Sequence, residues 1–187
     1  MTLTHHKLAP QGSHSKVSTM AKSAADKNRQ FTTHNSVKTL LRNQSIEMLN
    51  QSLAALFDLQ TQTKQAHWNV KGDQFYSLHL LFDEIAEELS GFVDDVAERV
   101  VALGGYATGT ARMAASESFL PEYPTAAITS LDHIQALVER FGLMSKHLCE
   151  AIDTTSEDAG TADLYTGILR TIDKRLWFLE AHIQEPA

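Results

Sequence analysis

From residue 36 to its end this chain repeats its apolar residues almost only at steps of three and four, and that spacing constrains its fold more than any other feature. Val37, Leu40, Leu41, Met48, Leu49, Leu56 and Leu59 predict one long helix from Ser36 to about Val70. Gly72 and Asp73 interrupt it, and Leu78, Phe82, Ile85, Leu89, Phe92, Val96, Val100 and Leu103 carry a second helix from about Phe75 to Leu103, where Gly104-Gly105 supplies a stop. Ile134, Leu137, Val138, Phe141, Met144 and Leu148 predict a third from Ser130 to Asp153. After a break at Gly160, Leu164, Ile168, Ile172, Leu176, Leu179 and Ile183 predict a fourth from Thr161 to Ile183. Residues 106–129, with Gly109, Pro121 and Pro124, read as a long connection with a short helix near Thr110–Glu117. Alternating strand patterns and internal repeats are absent, so the expected class is all-α, a four-helix bundle.

Connection lengths constrain how those helices are joined. Short breaks after the first and third make antiparallel neighbours. A 24-residue middle connection reaches roughly 80 Å when extended, against about 44 Å for a 29-residue helix. It can therefore cross the bundle and return the third helix parallel to the second, the ferritin-like arrangement with one long crossover.

With 187 residues the chain suits one domain, residues 36–187, preceded by an arm at 1–35 rich in Ser, Thr, Lys and Ala and without periodicity. The arm holds Lys7, Lys16, Lys22, Lys27 and Arg29 against Asp26 alone, a charge of +4. The total of −7 leaves −11 on the remainder. An acidic body with a basic arm suggests a polyanion partner for the arm alone. A single cysteine, Cys149, excludes an internal disulfide or a thiolate metal cluster and reads as a reduced, half-buried thiol. No run approaches the ~20 apolar residues of a membrane helix, and the polar first residues lack a secretory core, so the expectation is a cytoplasmic protein without a membrane partner.

The second helix carries the chemistry. Opposite its core stripe, at ~100° per residue, lie His79, Asp83, Asp94 and Glu98. The plain alternative is a solvated polar face. However, Ala86, Ser90, Ala97 and Val101 share this face, which makes it small and partly apolar, as close approach of another helix requires. The ligand-type residues form two i, i+4 pairs, His79 with Asp83 and Asp94 with Glu98, each able to converge on one ion. Asp83 and Asp94 are 11 residues apart, about 16 Å along a helix, while metal–N and metal–O bonds are only about 2.0–2.2 Å. The pairs therefore cannot serve one ion within one chain. Two copies packed antiparallel about a two-fold axis would oppose them and create two identical sites. His67, at the end of the first helix, can fold back toward His79. Such an N/O donor set suits Fe(II), with zinc or manganese as alternatives. No Glu-x-x-His occurs, which argues against a di-iron centre inside one bundle.

The run His67-Trp68-Asn69-Val70-x-Gly72-x-x-Phe75-x-x-x-His79-x-x-x-Asp83, followed by Asp94-x-Val96-Ala97-Glu98-Arg99-x-x-x-Leu103-Gly104-Gly105, resembles the paired signature of the Dps family, the miniferritins or DNA-binding proteins from starved cells. Tyr123-Pro124, Thr161-Ala162-Asp163 and Asp173-Lys174-x-Leu176-Trp177-Phe178 extend the resemblance to the end of the chain. It implies a hollow homododecamer that oxidises Fe(II), preferentially with hydrogen peroxide, stores ferric oxyhydroxide and protects DNA. It also implies inter-subunit ferroxidase sites built from His67, His79 and Asp83 of one subunit with Asp94 and Glu98 of its two-fold partner. Trp68 is then a candidate trap for stray oxidising equivalents, or an interface aromatic. Glu157, Asp158 and Asp163 resemble the acidic residues of iron-entry pores, with helix N-terminal carboxylates as the alternative for the first two. The arm's cations suggest non-specific DNA binding through phosphates, multiplied by the copies in an oligomer. His5, His6, His14 and His34 would add charge in acid. The competing readings are a nucleoid-compacting protein with a vestigial metal site, and a bundle used only for association.

Overall fold

The structure, a computed structural model, describes residues 29–184. Among them the chain forms α1 (Thr39–Asn69), α2 (Phe75–Ala102), α3 (Ala111–Glu117), α4 (Ser130–Thr154) and α5 (Ala159–Glu180), and no strand. The fold is the expected all-α bundle. Helices α1 and α2 pair most extensively, as do α4 and α5. The two hairpins meet through α1 with α4 and α2 with α5, and α3 lies on α1.

Contacts at the two ends establish the topology. The Ser130 hydroxyl donates to the Lys71 carbonyl at 2.8 Å, so α4 starts beside the α1–α2 turn from which α2 also starts. At the far end Arg99, late in α2, meets Asp158 and Thr161 at the start of α5. Helix α4 therefore runs parallel to α2, and residues 103–129 cross the length of the bundle to allow it. The predicted apolar stripes meet inside: Leu49, Leu56 and Leu59 of α1, Leu78, Phe82, Ile85, Leu89, Val96 and Val100 of α2, Leu137 and Phe141 of α4, Ile168 and Ile172 of α5 are all buried. Each contributes on the order of 1.5–3 kcal/mol, which is why a chain without disulfides holds this shape.

Several local features differ from the sequence reading. Leu40 is 73% exposed, because α1 starts at Thr39 and its first buried residues are Ser45 and Ile46. Cys149 is exposed rather than half-buried. The described chain is already docked by Arg29, ahead of Ser36. The Phe31 amide donates to the Gly104 carbonyl at 2.8 Å, and the Arg29 guanidinium lies 5.5 Å from the Tyr106 ring centre. Arg29 thus belongs to the bundle, while Lys7, Lys16, Lys22 and Lys27 lie outside the described residues. Gly104 is required twice over. Its φ is +81°, and a Cβ there would sit 2.7 Å from the Phe31 carbonyl oxygen. With the Gly105 amide on the Val100 carbonyl and the Gly104 amide on that of Val101, it closes α2 in a Schellman motif.

Helix α5 begins two residues before Thr161, because Asp158 caps it. The Asp158 side chain accepts from the Thr161 amide, from the Thr161 hydroxyl at 2.6 Å and from Arg99 Nη2 at 2.8 Å. Burial alone would raise this carboxyl, but the Thr161 hydrogen bonds and the Arg99 cation together hold it below the usual carboxylate range. Asp158 is 2% exposed, so its place among the pore carboxylates is corrected to that of a buried helix cap paired with Arg99. Gly160, read from sequence as a break, sits in the first turn of α5, where any Cβ would meet Arg99 Nη2 at 2.9 Å.

Replacing Arg99 by Ala strands a buried carboxylate and is expected to lower the unfolding free energy by about 3 kcal/mol in urea titrations at neutral pH. Asp158 titrates lower in the folded chain than in the unfolded one. Its stabilisation is therefore complete above about pH 4 and disappears as pH falls through the folded value, so parent and variant should converge in acid.

Candidate metal centre

The last turn of α1 and the second turn of α2 are stitched by two matching hydrogen bonds. His67 Nδ1 donates to the His79 carbonyl at 2.8 Å, and His79 Nδ1 donates to the His67 carbonyl at 2.9 Å. The His67 carbonyl belongs to a helix C-terminus with no residue ahead to bond it, so His79 serves as its cap. The rings stack with centroids 3.8 Å apart, and Phe75 lies 5.2 Å from the His79 ring. Because a carbonyl only accepts, each Nδ1 must carry the proton. In the neutral rings both Nε2 lone pairs are then left as donors toward a cation, the usual second-shell device for setting the tautomer of a liganding histidine.

Asp83 stands one turn beyond His79, on the same side. Its Oδ1 is 3.9 Å from His67 Nε2 and 2.6 Å from Lys64 Nζ. The hydrogen bond from Lys64 holds the exposed Asp83 carboxyl below its ordinary range. Lys64 also lies 6.0 Å from the Trp68 ring centre, and Trp68 is 66% exposed. The sequence reading did not single out Lys64. Its i, i+3 and i, i+4 relation to His67 and Trp68 on α1 was the available signal.

His67, His79 and Asp83 are thus brought together, whereas Asp94 and Glu98 are exposed farther along α2 and join no such group. Among the described residues no set of three or more His, Cys, Asp or Glu side chains could by itself hold a metal ion. His67 and His79 each spend Nδ1 on a backbone carbonyl, and Asp83 is engaged by Lys64. The exposed face of α2 is partly apolar. Around its midpoint Glu87, Ser90, Gly91, Asp94 and Ala97 line a shallow cleft of about 530 Å³, and Phe75, Tyr76, Leu80 and Val101 expose large apolar surface along the same helix. Of the other candidates, Glu157 and Asp163 are exposed at the start of α5.

The architecture is that of a ferritin-like protein, and residues 46–186 match the family model for the ferritin-like domain. The chain is 44% identical to the DNA protection during starvation protein of Agrobacterium fabrum over 155 residues, covering 82% of this chain and 96% of that one. The solved DpsC of Streptomyces coelicolor superposes with a TM-score of 0.80 at 32% identity, covering 84% of this chain and 94% of that one. Dps92 of Deinococcus radiodurans superposes with 0.76 at 33%, covering 79% and 90%. The chain belongs to the Dps family.

Proposed function

We infer that this protein oxidises Fe(II), preferentially with hydrogen peroxide, at sites shared between two copies, and stores the ferric product inside a homododecameric cage. The observation that carries this reading is two imidazoles with Nδ1 committed to backbone and a carboxylate beside them, while Asp94 and Glu98 join no ligand cluster among the described residues. An antiparallel two-fold pairing of α2 would cross between Glu88 and Leu89. It would oppose Asp83 to Asp94 and His79 to Glu98, so that each site takes His67, His79 and Asp83 from one copy and Asp94 and Glu98 from the other. Fe(II) is the substrate. Two ferrous ions together give the two electrons that convert one peroxide to water-level oxygen, without releasing hydroxyl radical. Trp68, exposed next to Lys64, which itself bonds Asp83, is a candidate to intercept single-electron escapes. Glu157 and Asp163 are the remaining candidates for an acidic iron-entry path.

A second role, non-specific DNA binding, is favoured by the charge of +3 on residues 1–28 against an acidic body and suits the DNA-protecting relatives. The compartment that fits both roles is the cytoplasm. No helix of the described residues is long and apolar enough to cross a membrane.

Three measurements test these readings. With Fe(II) loaded anaerobically and peroxide then added, a fast rise in ferric absorbance is expected, and Asp83→Ala should lose at least about tenfold in its rate, the kinetic equivalent of one charge-assisted ligand contact. Unchanged kinetics in Asp83→Ala would falsify the ferroxidase assignment. A Cβ at Gly91 meets nothing within 4 Å in its own chain, so Gly91→Trp should leave each bundle folded by circular dichroism while native mass spectrometry shows loss of the assembly. In gel shifts over a salt series, deletion of residues 1–28 should abolish DNA retention and the salt dependence that goes with it. Identical curves for both forms would remove DNA from the arm's role.

A further inference from the structure

Beside the candidate centre lies a second polar pair that the half-site does not use. Tyr123, in the crossover, and His133, in the first turns of α4, are joined at 2.6 Å between the phenolic oxygen and Nδ1. His133 is 1% exposed, and its Nε2 is buried without a hydrogen bond of good geometry. The ring lies against the backbone of Asn69, which favours its protonated form while burial opposes it. Asn69 directly follows Trp68. In the tautomer with Nδ1 unprotonated, the phenol donates and His133 accepts. Tyr123 and Trp68 line one surface cleft of about 590 Å³, together with Gln65 and Glu122.

Two further facts determine what such a pair can do. Arg140 stands 5.6 Å from the Tyr123 ring and is held there by the Gln62 side chain and the Glu122 carbonyl, both at 2.6 Å. A fixed cation beside the ring disfavours a phenol cation, so an electron can leave Tyr123 only together with its proton. Burial pushes the phenol up to about 12, so at neutral pH the proton is still present, with His133 Nδ1 at hydrogen-bond distance.

We propose that Tyr123, with His133 as its proton acceptor, is the second station of a one-electron relay that restores Trp68 after it has been oxidised. The proposal rests on the peroxide-driven ferroxidation inferred above only for the source of the oxidant, a hydroxyl-radical-class species formed when Fe(II) and peroxide react one electron at a time. That oxidant takes one electron from Trp68. The indole radical cation takes one electron from Tyr123, the phenolic O–H bond breaks, and its proton moves to His133 Nδ1. The products are a closed-shell indole, a neutral tyrosyl radical and a protonated imidazole. The radical is thereby moved from an exposed ring to a half-buried one.

The test uses the full-length assembled protein without iron, in a Trp177→Phe background so that Trp68 is the one indole of the chain. Photogenerated ruthenium(III) tris-bipyridine withdraws the electron, transient absorption follows the indole radical, and frozen-sample electron paramagnetic resonance identifies its successor. A tyrosyl radical is expected, formed as the indole signal decays. Tyr123→Phe should lose it and leave a longer-lived indole radical, whereas Tyr76→Phe should not. His133→Gln keeps the phenol but removes the base, and should slow the handover and abolish its solvent deuterium isotope effect. A tyrosyl yield unchanged in Tyr123→Phe, or a handover as fast in His133→Gln as in the parent, overturns the relay and leaves the pair a structural contact. Iron enters none of these readings. The ferric-absorbance assay on Tyr123→Phe is expected to match the parent and tests ferroxidation separately.

Discussion

The candidate centre depends on one reciprocal contact, the exchange of imidazole hydrogen bonds across the α1–α2 turn. His67 and His79 each close a backbone carbonyl of the other's helix, and their rings are pressed face to face as a result. One pair of bonds therefore does three things. It caps the end of α1, ties the start of α2 to it, and fixes both tautomers with the proton on Nδ1 in the neutral rings. A histidine held only by rotamer preference would pay that ordering cost when a cation bound, whereas here it is met on folding.

Helix α2 then serves two environments. Its inner stripe, from Leu78 to Val100, is buried in the bundle, and Glu88 reaches sideways to Arg175 with bonds of 2.6 and 2.8 Å, which locks α2 to α5. Its outer face keeps small residues at the middle and the exposed carboxylates Asp94 and Glu98 toward the far end, which join no ligand cluster among the described residues. A helix so divided is held by the bundle on one face and leaves the other exposed. That division is the physical basis for reading assembly as a condition of activity, since a cation needs more donors than one half-site offers.

The long crossover that makes α4 parallel to α2 also has chemical consequences. It carries Tyr123 back to the end of the bundle where α1 stops, so that α4, through His133, meets Asn69 beside Trp68. At the opposite end the same topology brings Arg99 onto Asp158. Burial of that carboxylate is tolerable because a cation, a hydroxyl and a helix N-terminus all favour its charged form.

Much of this was legible in the residues alone. Helices, their order, the crossover and the two i, i+4 pairs follow from local periodicity, because a regular helix turns sequence spacing directly into direction. The separation of Asp83 from Asp94 likewise needed only the rise per residue. Periodicity is silent about which atoms meet between elements distant in sequence. That is why Asp158 read as a pore carboxylate until its burial against Arg99 was seen, why Gly160 read as a helix break rather than as room for a guanidinium, and why Lys64 and the Tyr123–His133 pair went unremarked. By itself the sequence determined the fold class and the distance between the two i, i+4 pairs, since both are matters of spacing along the chain. Only the tertiary structure decided which nitrogens are free, which carboxylates are already paired and which tyrosine has a base, because those depend on hydrogen bonds between residues that the chain brings together by packing.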